Sequence, residues 1–257
     1  MSESLNAAWA ANTEYFEYTS AVNPRMPKIE IELFPSAMHQ IDETRVIPLD
    51  LAGQMGTPYP CTGPSLMANF VHINPGESLE TEAQSASQVF FCIRGRGKTE
   101  TPEGTVTWKT GDYFATPGGS VFKHTAEEDT AFYWVNDEPL FNYLGAKPDA
   151  AQFRSVFFSY ECLEDELAKV RAQNEGHDKN RNGILLANVD CPITKTVTHT
   201  MWSLYNLLPR QTRQKAHRHN SIALDLCVSA GPDTYTMIGR NLDADGNIVN
   251  PVKAMWT

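Results

Sequence analysis

The sequence predicts a mainly β protein in which one compact β unit is followed, after a helical connection, by the start of a second. Three observations carry that expectation. Short β-type runs recur at close intervals between residues 67 and 135, with Gly and Pro between them. Residues 161–173 change to a helical composition, and strand-type sequence resumes at residue 196. Short strands at regular spacing with turn signals read as a barrel or sandwich.

In chain order, Leu5, Ala8, Trp9, Ala11, Tyr15 and Phe16 stand at roughly helical spacing, so an N-terminal helix or arm is expected within residues 1–60. Pro24, Pro27 and Pro35 punctuate an irregular approach. The first β unit, residues 61–145, holds runs at 67–73, 88–94, 106–108, 112–115 and 130–135. Its turns are Asn74-Pro75-Gly76, Gly95-Arg96-Gly97, Pro102-Glu103-Gly104 and Pro117-Gly118-Gly119. Residues 146–195 form a helical linker in which Leu163, Leu167 and Val170 share a face, followed by a polar connection at 174–183. The second unit, residues 196–257, has runs at 196–202, 224–228 and 235–238 and a strong turn at Asp243-Ala244-Asp245-Gly246-Asn247.

Composition narrows the function classes. An apolar fraction of 41% and a charged fraction of 20% describe an ordinary globular protein. A net charge of −10 argues against nucleic acid or an anionic membrane surface as the partner. No apolar run is long enough to span a bilayer, and the N-terminus lacks the basic and apolar regions of a secretory signal. Five scattered cysteines without a Cys-x-x-Cys pair indicate neither a disulfide framework nor a thiolate zinc site. A reducing, cytoplasmic setting is expected.

The stretch that carries chemistry is Ala216-His217-Arg218-His219. Two histidines at i and i+2 on an extended segment project from one face and can reach one metal ion. The plainer alternative is a pair of polar residues on a solvated strand, in a basic stretch with Arg210, Arg213 and Lys215. Arg210 and Arg213 could also grip a substrate carboxylate, since guanidinium forks bind carboxylates bidentately, although loop cations are more often simply solvated. His72 and His199 occupy corresponding runs in the two units and read as structural, while His177 in the polar connection has no indicated role.

The first unit resembles a cupin, a small jelly-roll barrel that binds metal through two motifs. The frame is Pro75-Gly76-Glu77-Ser78-Leu79 with the Gly95-Arg96-Gly97 turn, and the second motif runs Gly111-Asp112-Tyr113-Phe114-Ala115-Thr116-Pro117 through to His124. Where the first motif has His, His and Glu, this chain has Glu82, Gln84 and Gln88. Glu82 and His124 are therefore the remaining first-barrel metal candidates. An amide is a poor replacement for imidazole, and the alternative is a barrel kept for packing, with His124 a satisfied polar residue. In the second unit, His217-Arg218-His219 falls where Glu82-Ala83-Gln84 fell, and Ala223-Leu224 follows. That pattern resembles the gentisate 1,2-dioxygenase-like bicupins, which hold Fe(II) with three histidines and cleave the ring of a hydroxylated aromatic acid with O₂.

The resemblance implies a double-stranded β-helix (jelly-roll) barrel followed by a second, incomplete barrel. It implies Fe(II), or another divalent metal, on His217 and His219, a small organic or aromatic acid as substrate, and a homo-oligomer paired through sheet edges. No side-chain nucleophile is needed, because such a metal acts as template and electron conduit. The spacing from Trp108 to His124, carried over to Trp256, places the third histidine beyond Thr257. The expectation is a piece of a longer bicupin, a natural truncation closed by a partner subunit being the alternative. A non-catalytic bicupin, binding a small molecule or serving as a structural or regulatory module, is the competing functional expectation.

Overall fold

The computed structural model describes residues 4–21, 31–174, 182–218 and 221–256. Residues 1–30 and 31–257 form two compact units. In the first, where a helix or arm is expected, there are two short helices, α1 (Leu5–Ala10) and α2 (Tyr18–Ala21). Ser4 caps α1. The helix stops because the Asn12 and Thr13 side chains bond back to the Ala8 and Ala10 carbonyls, closing the turn in place of another helical rung.

The second unit is built on two antiparallel sheets. The larger runs β1-β2-β9-β4-β7-β10, from β1 (Arg45–Pro48), β2 (Met67–Ile73), β4 (Ser87–Arg94), β7 (Tyr113–Pro117), β9 (Thr130–Asn136) and β10 (Val156–Phe158). The smaller runs β3-β8-β5-β6, from β3 (Ser78–Thr81), β5 (Arg96–Thr101), β6 (Gly104–Lys109) and β8 (Phe122–Ala126). Strands β1 and β10 extend the large sheet at its two edges, from segments expected to be arm and linker.

Side-chain alternation splits the large sheet into two buried faces. Phe90, Cys92, Phe114, Phe132 and Trp134 point between the sheets, where Phe90 stacks on Phe114 at 4.9 Å and on Trp134 at 5.8 Å. Val89, Phe91, Tyr113, Ala115 and Val135 point the other way, into a second apolar cluster. Burial on both faces is why the large-sheet strands read as unbroken apolar runs, whereas β5 alternates buried and exposed residues.

A bulge between Cys92 and Arg94 interrupts the β4–β9 ladder, and Gly95 follows at φ +94°. Any Cβ on Gly95 would lie 2.7 Å from the Asp129 carbonyl oxygen. The bulge breaks the parity that would otherwise send Arg94 inward with Phe90 and Cys92.

Helices α3 (Ala52–Met55) and α4 (Glu138–Leu144) flank the barrel segment, and α5 (Tyr160–Asn174) matches the expected helix, burying Leu163 and Leu167. The later strands form three separate two-stranded ribbons among the described residues. They are β11 (Asn182–Leu186) with β12 (Ser203–Leu207), β13 (Tyr235–Ile238) with β16 (Val252–Met255), and β14 (Asn241–Leu242) with β15 (Ile248–Val249). The β11–β12 ladder joins residues from both sides of the expected boundary at 195/196. The expected turn closes β14 and β15, with the Asp243 carboxylate accepting the Asp245 and Asn247 N–H groups.

Two expected strands are not strands. Residues 196–202 fold into a turn because the Thr198 hydroxyl accepts the Thr200 and Met201 N–H groups, and the Val197 and Thr198 N–H groups turn back to the Met201 carbonyl. Residues 224–228 are unpaired. Leu224 and Leu226 keep the period-2 pattern by packing against the outer cluster of the large sheet, together with Leu163, Leu186, Val197 and Met201.

Candidate functional site

His124 lies on β8, fully buried between the two sheets. The Trp108 indole, which can only donate, gives its N–H to the Thr99 hydroxyl oxygen at 2.8 Å. The same Thr99 hydroxyl hydrogen-bonds His124 Nδ1 at 2.8 Å. Nε2 hydrogen-bonds the Thr81 hydroxyl at 2.9 Å, so the neutral ring donates to one threonine hydroxyl and accepts from the other. The rings of Phe90 and Phe132 stand 5.1 and 5.4 Å away. Burial holds the imidazole neutral, lowering its pKa to about 3.

Both nitrogens being engaged, a metal at His124 would have to break one of these bonds inside an aromatic cage; the residues here do not fit one. Glu82 is exposed and accepts from the Gln84 amide at 3.4 Å. Gln88 faces inward, taking the Trp134 indole N–H at 3.0 Å and donating to the Pro117 carbonyl. Among the described residues no group of three or more His, Cys, Asp or Glu side chains could hold a metal ion.

His217 sits in an exposed segment outside any strand, where neighbouring Arg218 donates to the Arg240 carbonyl at 2.9 Å. His219, its expected partner, lies outside the described residues, as does His177. Arg210 and Arg213 are exposed, and Arg213 reaches the Asn247 side chain at 3.3 Å. The expected correspondence of His72 and His199 does not hold. His72 is buried on β2, whereas His199 is exposed on the 196–202 turn, edge-on to Phe153.

A polar network that sequence reasoning missed lies where β2 and β4 end. Arg94 donates through Nε to Asp129 at 2.7 Å, through Nη1 to His39 Nδ1 at 2.6 Å and through Nη2 to the His39 carbonyl at 2.7 Å. Since guanidinium only donates, His39 Nδ1 must accept, and the ring is neutral with its proton on Nε2. Burial and the Arg94 charge lower the His39 pKa accordingly. The guanidinium bonds also hold the Asp129 carboxyl below its usual range. His72 meets Asp129 at 2.7 Å through Nε2 and the Glu43 carbonyl at 2.9 Å through Nδ1. The network floors an open cleft of about 610 Å³.

Residues 69–136 match the family described as the cupin domain. The two-sheet barrel is a cupin jelly roll. Among solved structures, a salicylate 1,2-dioxygenase from Pseudaminobacter salicylatoxidans aligns at 19% identity and TM-score 0.35, over 46% of this chain and 31% of that one. Its adduct with gentisate aligns at 20% identity and TM-score 0.34, over 44% and 28%. A cupin superfamily protein from Desulfitobacterium hafniense DCB-2 aligns at 10% identity and TM-score 0.29, over 41% and 82%. This chain thus spans less than a third of the dioxygenase. No curated protein matches. Within the cupin barrel, the one available signal for the missed network was a lone Arg94 closing an apolar strand ahead of Gly95; His39 and Asp129 belong to no spacing pattern.

Proposed function

We propose that this chain belongs to a metal-dependent, ring-cleaving dioxygenase in which the first cupin barrel is a filled scaffold and iron is held by His217 and His219. The observation that carries this reading is the contrast in imidazole environment. His124 spends both nitrogens inside an aromatic core, while His217 stands exposed two residues from a second histidine. An i, i+2 imidazole pair has the donor chemistry iron accepts. Bound there, the metal would supply sites for O₂ and for the substrate's oxygens side by side. Arg210 and Arg213, on the same basic stretch, would orient the carboxylate of a small hydroxylated aromatic acid. Two imidazoles leave most coordination positions to water, so affinity in this chain alone is weak.

Five free cysteines accord with a reducing, cytoplasmic setting, and no helix among the described residues is long and apolar enough to cross a membrane. Titration with Co(II), followed by its visible spectrum, tests the reading. A nitrogen-ligated spectrum that disappears in His217→Ala and survives in Glu82→Ala is expected. Loss in Glu82→Ala with retention in His217→Ala overturns it. The filled first barrel favours a second reading, a non-catalytic binding or structural module. Absence of O₂ uptake by the iron-loaded protein with gentisate or salicylate, despite stoichiometric metal, would select that one.

A further inference from the structure

The cleft floored by Arg94 and Asp129 offers a recognition surface whose unused hydrogen-bonding capacity is specific in kind. Arg94 has five N–H donors, and His39 and Asp129 occupy all but one, which is on Nη1. Asp129 takes Arg94 on both oxygens and His72 on one, yet its side chain remains 53% exposed and Arg94 27% exposed. On the rim, Asn74 donates its amide protons to the Asp42 carbonyl and to Glu77, leaving its own oxygen open. The Asp42 carboxylate is exposed and has no partner among the described residues. Ile41 and Ile93 supply apolar wall.

The hydrogen-bonding balance decides the ligand class. Arg94 keeps one N–H, while Asp42, Asn74 and the exposed part of Asp129 present carboxylate and amide oxygens, so the cleft has a surplus of acceptors. A carboxylate or phosphate would meet that surplus unfavourably, and a simple ammonium would leave the remaining Arg94 N–H unused. Hydroxyl groups both donate and accept, and a neutral carbon frame suits the isoleucine wall. At about 610 Å³ the cleft lies in the size range of small-molecule sites. We propose that this cleft binds a small neutral polyhydroxylated molecule through Arg94, Asp129, Asp42 and Asn74. The buried half of the network, His72 and His39, holds the Arg94–Asp129 pair in place before the ligand arrives, which lowers the ordering cost of binding.

Saturation-transfer NMR on the full chain tests this, with myo-inositol and methyl glucoside as probes and acetate and methylammonium as comparators. Saturable binding of at least one polyol, in preference to both ions, is expected. Asp42→Ala, at an exposed position that leaves the fold intact, should weaken it about fivefold. Arg94→Lys, which cannot reproduce the fork, should weaken it tenfold or more. If Arg94→Lys does not fold, Asp42→Ala alone decides. No saturable response to either polyol, preference for acetate or methylammonium, or polyol binding unchanged in Asp42→Ala would each overturn the proposal. None of these outcomes depends on His217, so the metal reading stands or falls separately.

Discussion

His124 and His217 both stand where the cupin pattern has metal ligands, one in the second motif of the first unit and the other in the first motif of the second, and the fold gives them opposite surroundings. His124 is enclosed by two sheets, hydrogen-bonded at both nitrogens and ringed by phenylalanines. His217 lies in a segment with no ladder, open to water. The difference teaches that a motif position does not make a ligand; the surroundings of the imidazole decide whether a metal can reach it. The two stretches differ in the same way as wholes. The first is a barrel with its own interior, whereas α5, β11 and the 224–226 segment spend their apolar residues covering the outside of that barrel's large sheet. Each side of this contrast can be strained separately.

Acid offers the largest expected effect. The folded His124 resists protonation down to about pH 3, whereas unfolded imidazole takes its proton near pH 6.5. The unfolded state therefore binds more protons between those values, and stability falls as pH drops through the window, by roughly 4–5 kcal/mol in all. Urea unfolding from pH 7 to pH 4 should show this slope, and a His124→Asn variant that folds should show less of it. A slope unchanged by the substitution would mean the imidazole is not sealed.

Interior packing comes next. Phe90 is fully buried and touches four aromatic rings besides His124, so Phe90→Ala should cost about 3–5 kcal/mol. Thr99→Val removes the oxygen shared by Trp108 and His124, leaving two buried groups unpaired, at about 1–3 kcal/mol for each. Leu226→Ala, in the cover over the outer face, should cost only about 1 kcal/mol because Leu226 is half-buried. Equal losses for Phe90→Ala and Leu226→Ala in the same denaturation assay would erase the distinction between barrel and cover.

Four large-sheet strands, β2, β4, β7 and β9, were legible because burial on both faces writes unbroken apolar runs such as Val89-Phe90-Phe91-Cys92-Ile93. Residues 196–202 misled because threonine serves a β-ladder and a side-chain-closed turn equally well, and only the surroundings of Val197 and Met201 choose between them. At 224–228 a strand is expected; Leu224 and Leu226 are covered, but a ladder needs a partner strand that no local pattern supplies. The absence of the usual ligands at Glu82, Gln84 and Gln88 was plain in the sequence. The threonine pair that occupies His124 was not, since Thr81 and Thr99 reach it from separate strands. The Arg94 cleft was invisible for the same reason, its members coming from positions 39, 72, 94 and 129.

The contrast between the two histidines can be observed directly by recording ¹⁵N-imidazole NMR spectra of the chain during a Ni(II) or Co(II) titration. At substoichiometric metal the signal of His217 should broaden or shift, while the ring N–H of His124 stays sharp and slow to exchange. Broadening of His124 first, with His217 unaffected, would contradict the account.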